Sequence, residues 1–171
     1  MSKQRVLVDT CVIIEAFRIK CWKALCRHFD VETVDCCVTE CCTGDPLKPG
    51  RVEIPRDELI DGLARIHSVD ETMLAMLAID CHDIPALDDG ELHLMAWLHA
   101  HPKDAVLTVI STADRAAVRA THVLKLLDRL TSLQELGQTA GVGRKQMSSL
   151  KSHFQGDWLS TLRMQLKMDI L

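Results

Sequence analysis

Short apolar runs alternate with longer stretches of helical periodicity along most of this chain, and that alternation limits the fold more than any other feature. Val6-Leu7-Val8 is a continuous apolar triplet that ends in Asp9. A run that is apolar on both faces suits a strand in a parallel sheet, where helices cover both sides. Residues from Cys11 to about Phe29 read as one helix, with Val12, Ile13, Ala16, Phe17, Trp22, Leu25 and Cys26 on its apolar face. A second short strand is expected at 31–34, followed by a helical turn containing Val38, Thr39 and Glu40. Helix is then expected at 57–62, an extended segment at 66–69, and helix at 71–79 with Met73, Leu74, Leu77 and Ala78 inward. A strong helix follows at 90–100, the clearest strand at 106–110, a helix at 113–127, a last strand at 129–133, and mostly helix from 143 onward. Turn formers crowd residues 43–50, and further breakers fall at Asp83-Ile84-Pro85, Asp88-Asp89-Gly90, His101-Pro102 and Gly141-Val142-Gly143. Strands that alternate with helices predict an α/β fold around a mainly parallel sheet.

The 171 residues suffice for one domain, and an apolar share of 47% can build its core. Three Trp, three Phe and no Tyr leave too few aromatics for a binder that stacks successive bases on an aromatic platform. The polar start Met1-Ser2-Lys3-Gln4-Arg5 lacks a signal-peptide apolar stretch, and no run approaches membrane-spanning length, so a cytoplasmic protein is expected. The eight cysteines include adjacent pairs at 36–37 and 41–42 and form no disulfide framework; reduced, buried thiols are the expectation. Net charge is -4, unevenly spread: residues 1–90 hold 17 acids and 10 bases, a balance of -7, while residues 91–171 hold 7 acids and 10 bases, a balance of +3. Acids that bind cations and a basic far side can coexist on a phosphate-processing enzyme.

In open parallel sheets, ligands sit beyond the carboxyl ends of the strands. Acids stand at or soon after those ends. Asp9 closes the first strand, where it either caps the next helix or faces a ligand. Glu40 lies in Cys37-Val38-Thr39-Glu40-Cys41-Cys42, an apolar setting that is costly for an unpaired carboxylate; read alone, it is also an ordinary surface Glu. Asp88-Asp89-Gly90-Glu91 opens a helix whose first turn favours acids, and the short Asp88 and Asp89 suit capping better than Glu91 does. Asp114 follows the 106–110 strand in Ser111-Thr112-Ala113-Asp114-Arg115, where Ser111 or Thr112 already offers a cap. Four acids at one end of a sheet would repel and desolvate one another unless a divalent cation joined them. Oxygen-only ligands select Mg²⁺ or Mn²⁺, and the chemistry such a site performs is phosphodiester hydrolysis.

Val-Leu-Val-Asp-Thr at 6–10, an acid after the second strand, Asp-Asp-Gly-Glu-Leu-His-Leu at 88–94 and Ser-Thr-Ala-Asp-Arg-Ala-Ala at 111–117 stand in the order of the PIN-domain nucleases, which the chain resembles over roughly residues 5–135. The resemblance implies a PIN-like α/β/α sandwich at 1–135, with 136–171 as a C-terminal helical extension packed on the same domain. It also implies a Mg²⁺- or Mn²⁺-dependent endonuclease that cuts RNA, with Asp9, Glu40, Glu91 and Asp114 as the metal-binding and catalytic acids. In the toxin-like branch of that family an antitoxin protein would be the partner. Three features depart from the family: Asp88 and Asp89 compete with Glu91, the C-terminal tail is longer, and cysteines crowd Glu40.

Other readings compete. Cys36, Cys37, Cys41 and Cys42 with His28, or Cys81 with His82, would be the ligands of a zinc module, although no Cys-x-x-Cys spacing is present. A catalytically silent PIN-like fold would serve as a nucleic-acid-binding or scaffold module. Cys11, at a helix start beside Asp9, is a candidate thiol nucleophile. Arg18, Lys20, Lys23 and Arg27 form a charged stripe, and Arg115 and Arg119 share a face, with Arg115 placed to meet a scissile phosphate. His93, two residues past Glu91, should point away from the acids. Trp158, Leu159, Leu162 and Leu166 give the last helix an apolar side that packs on the core or forms a homodimer.

Overall fold

Among the described residues four short strands form one sheet in the order β3 (Arg65–His67), β2 (Asp30–Val34), β1 (Arg5–Val8), β4 (Val109–Ser111), and every strand pair is parallel. The structure is a computed structural model that describes residues 3–43 and 50–170. Most of the turn-rich segment expected at 43–50 therefore lies outside the described residues, as do Met1 and Ser2 of the polar start and the final Leu171.

In chain order the elements begin with β1 (Arg5–Val8), α1 (Thr10–Arg18), α2 (Trp22–His28), β2 (Asp30–Val34), α3 (Asp35–Cys42) and α4 (Arg56–Gly62). There follow β3 (Arg65–His67), α5 (Glu71–Asp80), α6 (Asp89–Ala100), α7 (Pro102–Ala105), β4 (Val109–Ser111) and α8 (Arg115–Val123). The chain ends through α9 (Leu133–Thr139), α10 (Arg144–Met147) and α11 (Gly156–Lys167). Alternation along β1 divides the core: Val6 and Val8 join one apolar cluster with α1, α2 and α9, and Leu7 joins another with α6, α8 and α11. Helices thus cover both faces of the sheet, an arrangement compatible with an α/β/α sandwich. α11 buries Leu159, Leu162 and Leu166 in the second cluster, with Trp158 partly buried beside them. Among the described residues no helix is long and apolar enough to cross a membrane.

Five expectations need correction. The single helix over 11–29 is two, because Lys20 takes a left-handed conformation (φ 61°) and turns the chain. Lys20 N donates to Phe17 O and Cys21 N to Ala16 O, the bonding of a Schellman cap with Lys where Gly is usual. Lys125 (φ 60°) ends α8 in the same way, short of the expected 127. The strand at 106–110 shrinks to Val109–Ser111, because Pro102 starts α7 and the turns after it occupy Val106 and Leu107, which are exposed. The strand at 129–133 is one bridge from Leu130 to Ile110, cut off when Ser132 and Glu135 form a capping box that opens α9. On α5, Ala78 is exposed rather than inward.

Candidate functional site

From β1 the chain steps outward to β2 and β3, then returns to place β4 on the other side of β1. The direction of travel reverses beside β1, and a crevice opens there beyond the carboxyl ends of the strands. A cleft of about 480 Å³ occupies this end of the sheet, and Asp9, Glu40, Asp88, Asp89 and Glu91 form its wall together with Thr10 and Cys11. Asp114 lies outside that wall, yet its charge acts on both Asp9 and Glu91. Three of the four candidate acids therefore share one cleft, and the fourth is electrostatically coupled to two of them.

Asp9 divides its carboxylate between two environments. Its Oδ1 accepts hydrogen bonds from Val12 N and Cys11 Sγ, both at 2.9 Å, which caps α1. Its Oδ2 is buried and makes no hydrogen bond of good geometry, although the Thr112 hydroxyl lies near enough to favour the ionised carboxylate. Burial pushes the Asp9 carboxyl above its ordinary range, and the nearby Asp114 charge adds to the effect. The choice between cap and ligand that the sequence posed is thus not exclusive: one oxygen caps and the other is left over.

Glu40 reaches across from α3 to the start of α6. Its Oε1 accepts from Gly90 N at 2.8 Å, and its Oε2 accepts from Thr10 Oγ1. The carboxylate sits so close to Gly90 that a Cβ there would collide with it and lie 3.0 Å from Thr10 Oγ1. Gly90 is needed for this approach of backbone to carboxylate. An amide in the first turn of α6 is consequently satisfied by an acid from another helix. The expected capping by Asp88 and Asp89 is not observed: Asp88 occupies the cap position without a side-chain cap bond, Asp89 is the first helical residue, and both face the cleft. Thr10 and Gly90, the two residues that hold Glu40, cannot be read from the sequence as its partners because they lie 30 and 50 positions away.

Glu91 is pushed up to about 7, first by burial and then by the charges of Asp114 and Asp9. Asp114 caps α8: its Oδ1 accepts from Ala116 N at 2.6 Å and Ala117 N at 3.0 Å. The expectation that Ser111 or Thr112 would do this job is corrected, since Thr112 Oγ1 instead accepts from Asp114 N and so orients the capping residue itself.

The other candidates separate from this cluster. Burial, then the Asp9 charge, push the Cys11 thiol well above its ordinary range, which is the reverse of what a thiol nucleophile requires. Cys37 belongs to one apolar cluster and Cys41 to the other, so α3 uses these cysteines as small apolar side chains on two sides. Arg18 pairs with buried Glu15, and Lys23 with Glu58. Arg115 lines a different groove, against α11. His93 is outside the cleft wall, with its Nδ1 3.9 Å from Asp35.

An all-oxygen, mutually repelling set with one orphaned buried oxygen fits a hard divalent cation by its chemistry. Among the described residues, no three His, Cys, Asp or Glu side chains are already drawn together as a metal-binding group. No protein-family model, curated protein or solved structure matches the chain.

Proposed function

We propose that the chain is a divalent-metal-dependent endonuclease that hydrolyses phosphodiester bonds in RNA. The observation that supports this best is Asp9 Oδ2, buried without a hydrogen bond of good geometry beside Glu91 and Asp114 at the switch point of the sheet. A protein does not keep such an oxygen for stability, since a buried unpaired acid is destabilising.

In this reading Asp9, Glu91 and Asp114 would hold Mg²⁺ or Mn²⁺. When bound, such a cation supplies the charge that activates water and stabilises an in-line displacement at phosphorus. The chain's own part is to have the acids in place beforehand. Val12 N fixes Asp9 through Oδ1, leaving Oδ2 for the ligand role, and the amides of Ala116 and Ala117 fix Asp114 likewise. Glu40, with both oxygens bonded to Gly90 and Thr10, is a positioning residue that fixes the start of the helix carrying Glu91.

The engagement of Glu40 also favours a second reading, a silent binding module that kept the fold and lost the chemistry. Cleavage assays separate the two. The purified protein should cut single-stranded or structured RNA with Mg²⁺ or Mn²⁺ and stop in chelator. Asp9→Asn should lower the rate at least ~100-fold, the scale of one lost charge-stabilising group. Cleavage that survives both treatments would sink the proposal, and binding of RNA without any cleavage would establish the silent module.

A further inference from the structure

An acidic cleft repels the substrate a nuclease must hold, so affinity for a polyanion has to come from groups just outside the acids. The residue after Asp114 supplies one. Arg115 lines a groove of about 370 Å³ between α8 and α11, together with Asp157, Trp158, Thr161, Leu162 and Gln165, a volume within the range of roughly 300–1,000 Å³ for ligand clefts. Arg115 is exposed, and among the described residues no ion pair engages it, whereas Arg5 and Arg18 are held by acids. Arg119, one turn further along the same face, is exposed as well. Across the groove stands Trp158. Trp22 and Trp97 are buried at 2% and 4% exposure, while Trp158 is partly exposed and lines the groove, with its ring edge-on to His153. Asp157 is the single acid of the lining; it forms no ion pair among the described residues and offers acceptors to a base amino group or a ribose hydroxyl.

We infer that this groove seats one nucleotide of single-stranded RNA beside the acidic cleft, with Arg115 against a phosphate and Trp158 stacked on a base. The inference rests on the nuclease reading above. A planar cation and an indole facing one groove match the two invariant parts of any nucleotide, its charged backbone and its π-face. One available Trp allows one stacked base, which agrees with the scarcity of aromatics in the chain. The groove also belongs to the half of the sequence with a surplus of bases, 10 against 7 acids.

The test is a titration of the full chain with oligouridylate in chelator, where no cleavage occurs. Because Trp22 and Trp97 are buried, a change in tryptophan fluorescence reports Trp158. Saturable quenching is expected. By anisotropy of labelled oligouridylate, Arg115→Ala and Trp158→Ala should each bind about tenfold more weakly, the scale of one lost stack or charged contact. Trp158→Phe, which keeps an aromatic face and the packing of α11 on the core, should bind within about threefold of the parent while the quench disappears. Absence of quenching, or affinity unchanged in both Arg115→Ala and Trp158→Ala, would overturn the groove assignment. Metal-dependent cleavage without quenching removes the groove and leaves the nuclease; Arg115-dependent quenching without cleavage under any metal supports the groove and removes the nuclease.

Discussion

Two acids buried beside the same sheet, Glu32 and Asp9, are treated in opposite ways. Near the amino end of β1, Glu32 is 3% exposed and fully answered: Arg5 Nε and Nη2 donate to its two oxygens at 2.8 and 2.9 Å, and His67 Nε2 lies 2.8 Å from Oε2. Burial would raise the Glu32 carboxyl, but the hydrogen bonds from His67 and Arg5 outweigh it and hold the group down to about 2. At the carboxyl ends Asp9 is just as buried, at 2%, and is shifted the other way, with Asp114 and Glu91 rather than cations around it. Burial alone therefore does not mark a functional acid. What distinguishes Asp9 is burial without an answering charge, a strain that a folded chain tolerates where something else completes the site.

The largest expected difference between the two regions is in rate. Glu91→Gln should cost at least ~100-fold in metal-dependent cleavage while the protein melts at or above the parent temperature, because a repelled charge has been removed from the cleft. Single-turnover assays with circular dichroism melts check both halves. Glu32→Gln should do the reverse: it weakens the answer to Arg5 and His67 and lowers stability by about 2 kcal/mol, a value discounted because Arg5 is 23% exposed. Denaturant unfolding reads this directly, and an unchanged midpoint would show that the pair contributes no stability.

The pH dependence of stability should have opposite signs for the two acids. Glu32, folded at about 2 against roughly 4.3 when unfolded, stabilises above that unfolded value and loses its contribution as pH falls toward 2. Glu91, folded at about 7, keeps a proton that the unfolded chain has lost, so stability declines as pH rises from about 4.3 to 7. In chelator, Glu91→Gln should flatten that decline, and the remaining slope belongs to Asp9, which is shifted in the same direction. A slope identical to that of the parent would contradict the coupling among these acids. The smallest effect is expected from Asp89→Asn. Asp89 makes no cap bond, so melts should shift by less than ~0.5 kcal/mol and cleavage should change little. Loss of Mn²⁺ binding in Asp89→Asn with retention in Glu91→Gln would reverse the ligand assignment.

The parallel sheet and the positions of Asp9 and Glu40 at its carboxyl end were legible because both are written in short range. Apolar triplets mark β1, and an acid at or soon after a strand end falls at the sheet's carboxyl edge whatever the helices do. Helix ends were less legible. Lys20 and Lys125 adopt a conformation for which Gly is the usual signal, so two helices stop where the sequence shows only a charged residue. The capping box at Ser132 and Glu135 was readable as Ser-x-x-Glu, and it would have replaced the expected last strand with a helix start. The role of Glu40 could not be read at all, since its partners Thr10 and Gly90 come from two other helices. Residue type locates an acid at the cleft; only tertiary contact tells whether its oxygens are spent.

The most direct test of that distinction is the melting temperature of the parent and of Asp9→Asn, each in chelator and in saturating Mn²⁺. If the Asp9 oxygen is an unanswered charge awaiting a cation, Mn²⁺ at about 100 times its Kd should raise the parent by roughly 5 °C or more. Asp9→Asn, which keeps the α1 cap through its amide oxygen, should melt higher than the parent in chelator and not respond to Mn²⁺. A parent indifferent to Mn²⁺, or an Asp9→Asn variant that melts lower than the parent in chelator and still responds to the metal, would contradict the account.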